Sequence, residues 1–193
     1  MFIRNYEPED EEGWIRCRVL SFLNTAYYDN VLQNKEKYHN PSVEIVAEKD
    51  GVIVGLLDLE LEQSVGKVCT LSQSLGAMMW HIAVHPDYQR DGIGKQLLQY
   101  AESQLEGQGY QYIEAWTRDD EWVNRWYENQ GFQKMNSYYQ AFISGEQRHE
   151  FIDSKHSKVT VLSAFAHYMG HDENIMNKFE RVYECNGYVK KFN

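Results

Sequence analysis

Residues 77–98, AMMWHIAVHPDYQRDGIGKQLL, constrain the fold more than any other part of the chain. The first eight are almost continuously apolar and too few for an independent helix, so they are expected to form a central strand buried on both faces. His85-Pro86 ends that strand, because proline has no N–H to offer a neighbouring ladder. Beyond Gly92 and Gly94, residues Ile93, Leu97, Leu98, Ala101 and Leu105 fall on one helical face, and Gly107 and Gly109 close the helix. The strand YIEAWT at 112–117 then returns beside the first through a helical crossover, expected to be right-handed.

Flanking sequence extends this core into an α/β (α+β type) chain. An acidic start, Glu7-Pro8-Glu9-Asp10, suits the positive end of a helix in which Trp14, Cys17, Val19, Leu20 and Leu23 recur at spacings a helix can bury. Asp50-Gly51 stands between VEIVA and VIVGLLDLEL, a strong short hairpin signal. The stretch 63–76 is rich in Gly, Ser and Gln and reads as a loop. Asp119-Asp120-Glu121 opens a further helix from Trp122 to Gln130, closed by Gly131. SYYQAFIS and ERVYECNGYVKKF read as strands, with VTVLSAFAHYM between them as strand or helix. The expected organisation is one domain over 1–143, with a C-terminal extension, 144–193, packed on it.

Composition narrows the function. Nineteen Lys and Arg against 29 Asp and Glu give a net charge of −10, which disfavours nucleic acid and mildly favours amine ligands. No apolar run approaches the ~18 residues a membrane span needs, and the N-terminus turns acidic where a secretory signal would be basic. Cys17, Cys69 and Cys185 form neither a disulfide framework nor a zinc knuckle. A cytoplasmic protein without membrane or nucleic-acid partners is expected. His167 and His171 have the i, i+4 spacing of helical metal ligands, but without a third ligand no metal is expected.

Chemistry concentrates in Gln89-Arg90-Asp91-Gly92-Ile93-Gly94-Lys95, between the strand and the helix. Glycines let a ligand approach the backbone, and free N–H groups at a helix start suit a pyrophosphate. A Walker loop would need glycine where Gln89 stands and Ser or Thr where Gln96 stands, and a dinucleotide fingerprint would need glycine in place of Leu97. QRDGIG at 89–94 instead resembles motif A of the GNAT superfamily of N-acetyltransferases, Gln/Arg-x-x-Gly-x-Gly/Ala. Tyr127-Glu128-Asn129-Gln130-Gly131-Phe132 is similar to a second motif of that family.

The resemblance implies a mixed, mostly antiparallel central sheet flanked by helices, with acetyl-CoA as co-substrate and an amine as acceptor. It implies that the amides of Gln89 to Gly94, with Lys95 adjacent, hold the pyrophosphate, and that the edge at Ile82, Ala83 and Val84 bonds the pantetheine. Asp120 stands where a cofactor-contacting asparagine is expected, and is alternatively a helix N-cap. Tyr127 inherits the role of general acid toward the departing thiolate, or else packs beside Val123. The usual strand positions for a base hold Trp80 and Met78, leaving Glu60 and His81 as catalytic candidates. Glu60 is alternatively a solvated strand residue and His81 a core histidine. The expected function is direct N-acetyl transfer to a primary amine. The alternative is a non-catalytic CoA-binding sensor or interaction module, and residues 144–193 building a homodimer interface is compatible with either.

Overall fold

The computed structural model describes residues 1–192 and contains one eight-stranded sheet. Its elements are β1 (Phe2–Asn5), α1 (Glu11–Phe22), β2 (Ser42–Lys49), β3 (Val52–Leu61), β4 (Gly76–Val84), α2 (Ile93–Leu105), β5 (Tyr112–Thr117), α3 (Glu121–Asn129), β6 (Gln133–Ile143), β7 (Ala164–Tyr168), the single-turn α4 (Glu173–Met176) and β8 (Arg181–Lys191). The strand order is β1-β2-β3-β4-β5-β8-β6-β7. Every pairing is antiparallel except β4 with β5, the two strands joined through α2.

Local chemistry explains most of these boundaries. Asp50 and Gly51 both take positive φ, 53° and 77°, as a two-residue turn matched to the twist of the β2–β3 hairpin requires. Gly131 at φ 86° turns the chain out of α3 into β6. VTVLSAFAHYM resolves to strand at Ala164–Tyr168, so His167 and His171 do not share a helical face; their rings lie against Tyr138 and Tyr139 respectively.

The two sheet faces differ. Leu57, Leu59, Leu61, Ala77 and Met79 pack beneath α2, with Ile93, Leu97, Leu98, Ala101 and Leu105, and the same core takes in Tyr127 and Phe132. Under α1 the apolar cluster is small: Trp14, Cys17, Val46, Ile53, Leu56 and Ala83. The α1 side chains that become buried are Trp14, Cys17, Arg18 and Ser21, while Leu23, expected on the buried face, is 52% exposed. A leucine stripe thus gives way to Arg18, because this helix caps a polar region of the sheet.

Two features of strand placement matter for the site. Strand β8 inserts between β5 and β6, so residues beyond the expected 143/144 boundary lie in the interior of the sheet. Strand β4 is buried on both sides over Gly76–Met79, but Trp80 is 49% exposed, contrary to a strand covered throughout. The pairing explains this: Leu59 faces Met79 and Asp58 faces His81, so Trp80 is an extra residue, a bulge.

Candidate active site

The parallel pairing of β4 with β5 covers only Gly76–Tyr112 to Met79–Ala115. Beyond the bulge the strands part, and β5 continues only against β8. The edge of β4 at Ile82, Ala83 and Val84 therefore faces a gap instead of a partner strand. A linear ligand carrying amide groups can add to such an edge as a strand would.

At the mouth of the gap the chain runs into the loop read as a pyrophosphate cradle. Gln89 Nε2 donates to Val84 O at 3.1 Å, tying the loop to the strand end. Arg90 has φ 68° and Gly92 φ 75°, left-handed conformations that bend the loop beneath the start of α2. Gly92 caps α2 without a side-chain bond, and the first amide bonded back into this cap is that of Gln96, 3.1 Å from Gly92 O. Among the described residues, the amides of Arg90, Asp91, Gly92, Ile93, Gly94 and Lys95 have no protein acceptor. A Cβ on Gly94 would come within 3.4 Å of the Trp126 ring, so glycine there lets α3 close on the cradle. Residues 89–95 thus fit a diphosphate through main-chain donors at the positive end of a helix.

Tyr127 projects from α3 into the core and is 5% exposed. It stacks on Tyr188 at 5.3 Å, with Trp126 and Phe132 edge-on. Burial, helped by neighbouring Tyr27, Tyr188 and Cys185, pushes its phenol above the ordinary tyrosine range, so it stays a proton donor at neutral pH. Asp120 occupies the N-cap position of α3, but its carboxylate does not cap the helix. Both oxygens accept from the Ala26 amide, at 2.9 and 3.1 Å, which fastens the segment after α1 to the end of β5. Asn124, one turn before Tyr127, is the polar hub instead. It donates to Arg118 O and Asp120 O and accepts from Asn186 and the Tyr188 hydroxyl.

On the α1 face, alternate residues along β3 and just past its end carry carboxylates: Asp58, Glu60 and Glu62. Glu60 accepts from the Asn40 backbone at 3.1 Å, the Asn40 side chain at 2.8 Å and Trp80 Nε1 at 2.8 Å. Burial pushes its pKa up, but these hydrogen bonds outweigh it and hold Glu60 below its usual range, which makes it a weak base. Asp58 is fully buried against Lys35 Nζ at 2.7 Å and the Tyr38 hydroxyl at 2.9 Å, and burial raises its pKa. Glu62 accepts four amides, from Lys67, Val68, Cys69 and Gly76, and Glu114 on β5 accepts from Thr70 and Leu71. These two carboxylates fold the 63–76 loop.

His81, 7% exposed, has both ring nitrogens engaged. Arg18 Nε donates to Nδ1 at 3.4 Å, and Nε2 meets the Glu36 carboxylate. Arginine has only donors, so Nδ1 must accept, and neutral His81 carries its proton on Nε2, pointed at Glu36. No lone pair is left to deprotonate a substrate directly. Glu36, Asp58, Lys35, Arg18 and Asn124 were absent from the expected site. The alternation Leu57-Asp58-Leu59-Glu60-Leu61-Glu62 was the available signal, since period two puts every acid on one face.

The comparisons agree with this architecture. Residues 40–134 match the family model described as an acetyltransferase (GNAT) domain. Residues 40–134 are thus a GNAT acetyltransferase domain. A search of curated proteins finds no match. Among solved structures, it is similar to the ribosomal-protein-alanine N-acetyltransferase of Brucella melitensis (12% identity, TM-score 0.62, all of both chains). It is also similar to the ribosomal-protein-S18-alanine N-acetyltransferase of Escherichia coli (13%, 0.60, 98% of this chain and 92% of that one). A GNAT family acetyltransferase from Elizabethkingia anophelis with acetyl-CoA bound also aligns (13%, 0.51, 99% and 97%). At these identities the likeness speaks to the fold.

Proposed function

We propose that the protein transfers the acetyl group of acetyl-CoA directly to a primary amine, in a ternary complex and without a covalent enzyme intermediate. The observation that carries the reading is the run of six acceptor-free amides from Arg90 to Lys95, set where β4 parts from β5. The ligand's diphosphate meets those amides, and its pantetheine arm adds to the Ile82–Val84 edge. The gap lies between two chemistries. The α2 and α3 face offers the Tyr127 phenol, and the α1 face offers carboxylates.

In this reading the acceptor's ammonium loses a proton to water at the α1 side, since Glu60 and His81 are both engaged by neighbours. The nitrogen lone pair forms the new C–N bond at the thioester carbonyl. As the C–S bond breaks, Tyr127 gives its proton to the thiolate, and the proton shed when the nitrogen becomes an amide returns to Tyr127. The net products are an N-acetyl amide, CoA thiol and one proton.

The test is release of free CoA thiol with a panel of small amines, polyamines and peptides bearing a free N-terminus. Peptides join the panel because two similar structures are named for ribosomal-protein alanine. Silence across the panel overturns the enzymatic reading. The engagement of both expected bases favours a second reading, a CoA-binding sensor on the same fold. Tight acetyl-CoA binding in calorimetry without turnover would select it. Three free, buried cysteines suit the reducing cytoplasm we propose as its compartment.

A further inference from the structure

The geometry points to Glu36 and Trp80 as the receptor for the acceptor's ammonium group, with His81 as the positioning residue behind Glu36. This deepens the acetyl-transfer reading and rests on it. Of the carboxylates on the α1 face, Asp58, Glu60, Glu62 and Glu114 are all taken up by neighbours and at most 7% exposed. Glu36 differs. It comes from the segment between α1 and β2, and its side chain keeps 46% exposure while one oxygen meets His81. That contact stands one residue past the bulge, where β4 leaves β5 and the gap opens.

Two further observations support a cation as occupant. Trp80, the bulge residue, has its Nε1 pinned to Glu60 and its ring half exposed, so an aromatic surface is open one residue before the His81 that Glu36 meets. Asp58, paired across the strands with His81, is fully buried, and its Oδ1 has no hydrogen-bond partner among the described residues. Lys35 and Tyr38 hold the other oxygen, so this carboxylate is left one donor short. The segment bearing Glu36 is also held in place: Lys35 Nζ bridges Glu44 at 2.5 Å and Asp58 at 2.7 Å, among the rings of Tyr6, Trp14 and Tyr38. Asn40 clamps the far end to Glu60. The receptor is built before the acceptor arrives, so little ordering entropy opposes binding.

The chemistry defines the acceptor as a primary ammonium presented in line with the gap. The test is steady-state kinetics on whichever panel amine the wild type acetylates fastest. Glu36→Gln is expected to raise KM for that amine at least tenfold with kcat changed less than threefold and acetyl-CoA affinity unchanged, because a charge-assisted hydrogen bond is lost. Glu36→Asp recovers part of the loss. Trp80→Leu raises KM about threefold and Trp80→Phe restores most of it, in keeping with a half-exposed cation–π contact. His81→Gln falls between these, by releasing Glu36. If Glu36→Gln and Glu36→Asp both keep KM within twofold of wild type, the receptor is wrong while acetyl transfer stands. A wild type inactive on every amine overturns both.

Discussion

The two faces of the sheet solve different problems with the same strands. Beneath α2, Leu57, Leu59 and Leu61 meet Leu97, Leu98 and Ala101 in a continuous apolar core that needs no partner chemistry. Beneath α1, the intervening residues Asp58, Glu60 and Glu62 each require an individually matched donor, supplied by Lys35, Asn40, Trp80 and loop amides. One face tolerates any well-packed hydrophobe, whereas the other fixes the position of particular charges. Positional accuracy at the gap comes from the second face and rigidity from the first.

Removing a cation from the polar face should cost the most stability. Lys35→Met leaves Asp58 and Glu44 without their shared ammonium and is expected to cost about 3 to 5 kcal/mol in denaturant unfolding. Adding Asp58→Asn should recover a substantial part, through coupling of neighbouring sites. A loss below 1 kcal/mol would mean that this face contributes little to folding. The apolar counterpart, Leu97→Ala, should cost about 2 to 5 kcal/mol by the same measurement, because Leu97 is fully buried. Tyr127→Phe keeps the stacked ring and should leave stability and acetyl-CoA affinity nearly unchanged while lowering kcat about 100-fold. Gly92→Ala forces a side chain into φ 75°, costs roughly 1 to 2 kcal/mol, and should weaken acetyl-CoA binding in calorimetry.

The smallest effect concerns acid. Burial works against ionised Glu62, but its amide donors prevail and hold its folded pKa below the unfolded value. Its stabilisation is therefore complete above the unfolded pKa and fades as pH falls through the folded one. Urea midpoints of wild type and Glu62→Gln should converge as pH drops below 4.5, the ordinary value for this carboxyl.

Local pattern made one half of this molecule legible. The Asp50-Gly51 turn, the 77–84 strand, the helical face from Ile93 to Leu105 and the QRDGIG turn into α2 are all written in adjacent residues, and all sit where that pattern puts them. What escaped depends on residues far apart in sequence. Glu36 meets His81 across 45 positions, and Asp120 meets Ala26 across 94. The Trp80 bulge left no mark in the sequence, because an extra residue shows only in the register with a partner. The insertion of β8 between β5 and β6 was invisible for the same reason: a strand's composition reports that it will pair, without naming its neighbour.

That insertion governs how the molecule can be made. On the ribosome, β5 and β6 emerge well before the ribbon that must lie between them, so β5 beside β4 and β6 beside β7 each wait with one edge of backbone donors and acceptors open. During that interval the nascent chain is vulnerable to illegitimate strand exchange, and maturation closes in a single late step when β8 slides home.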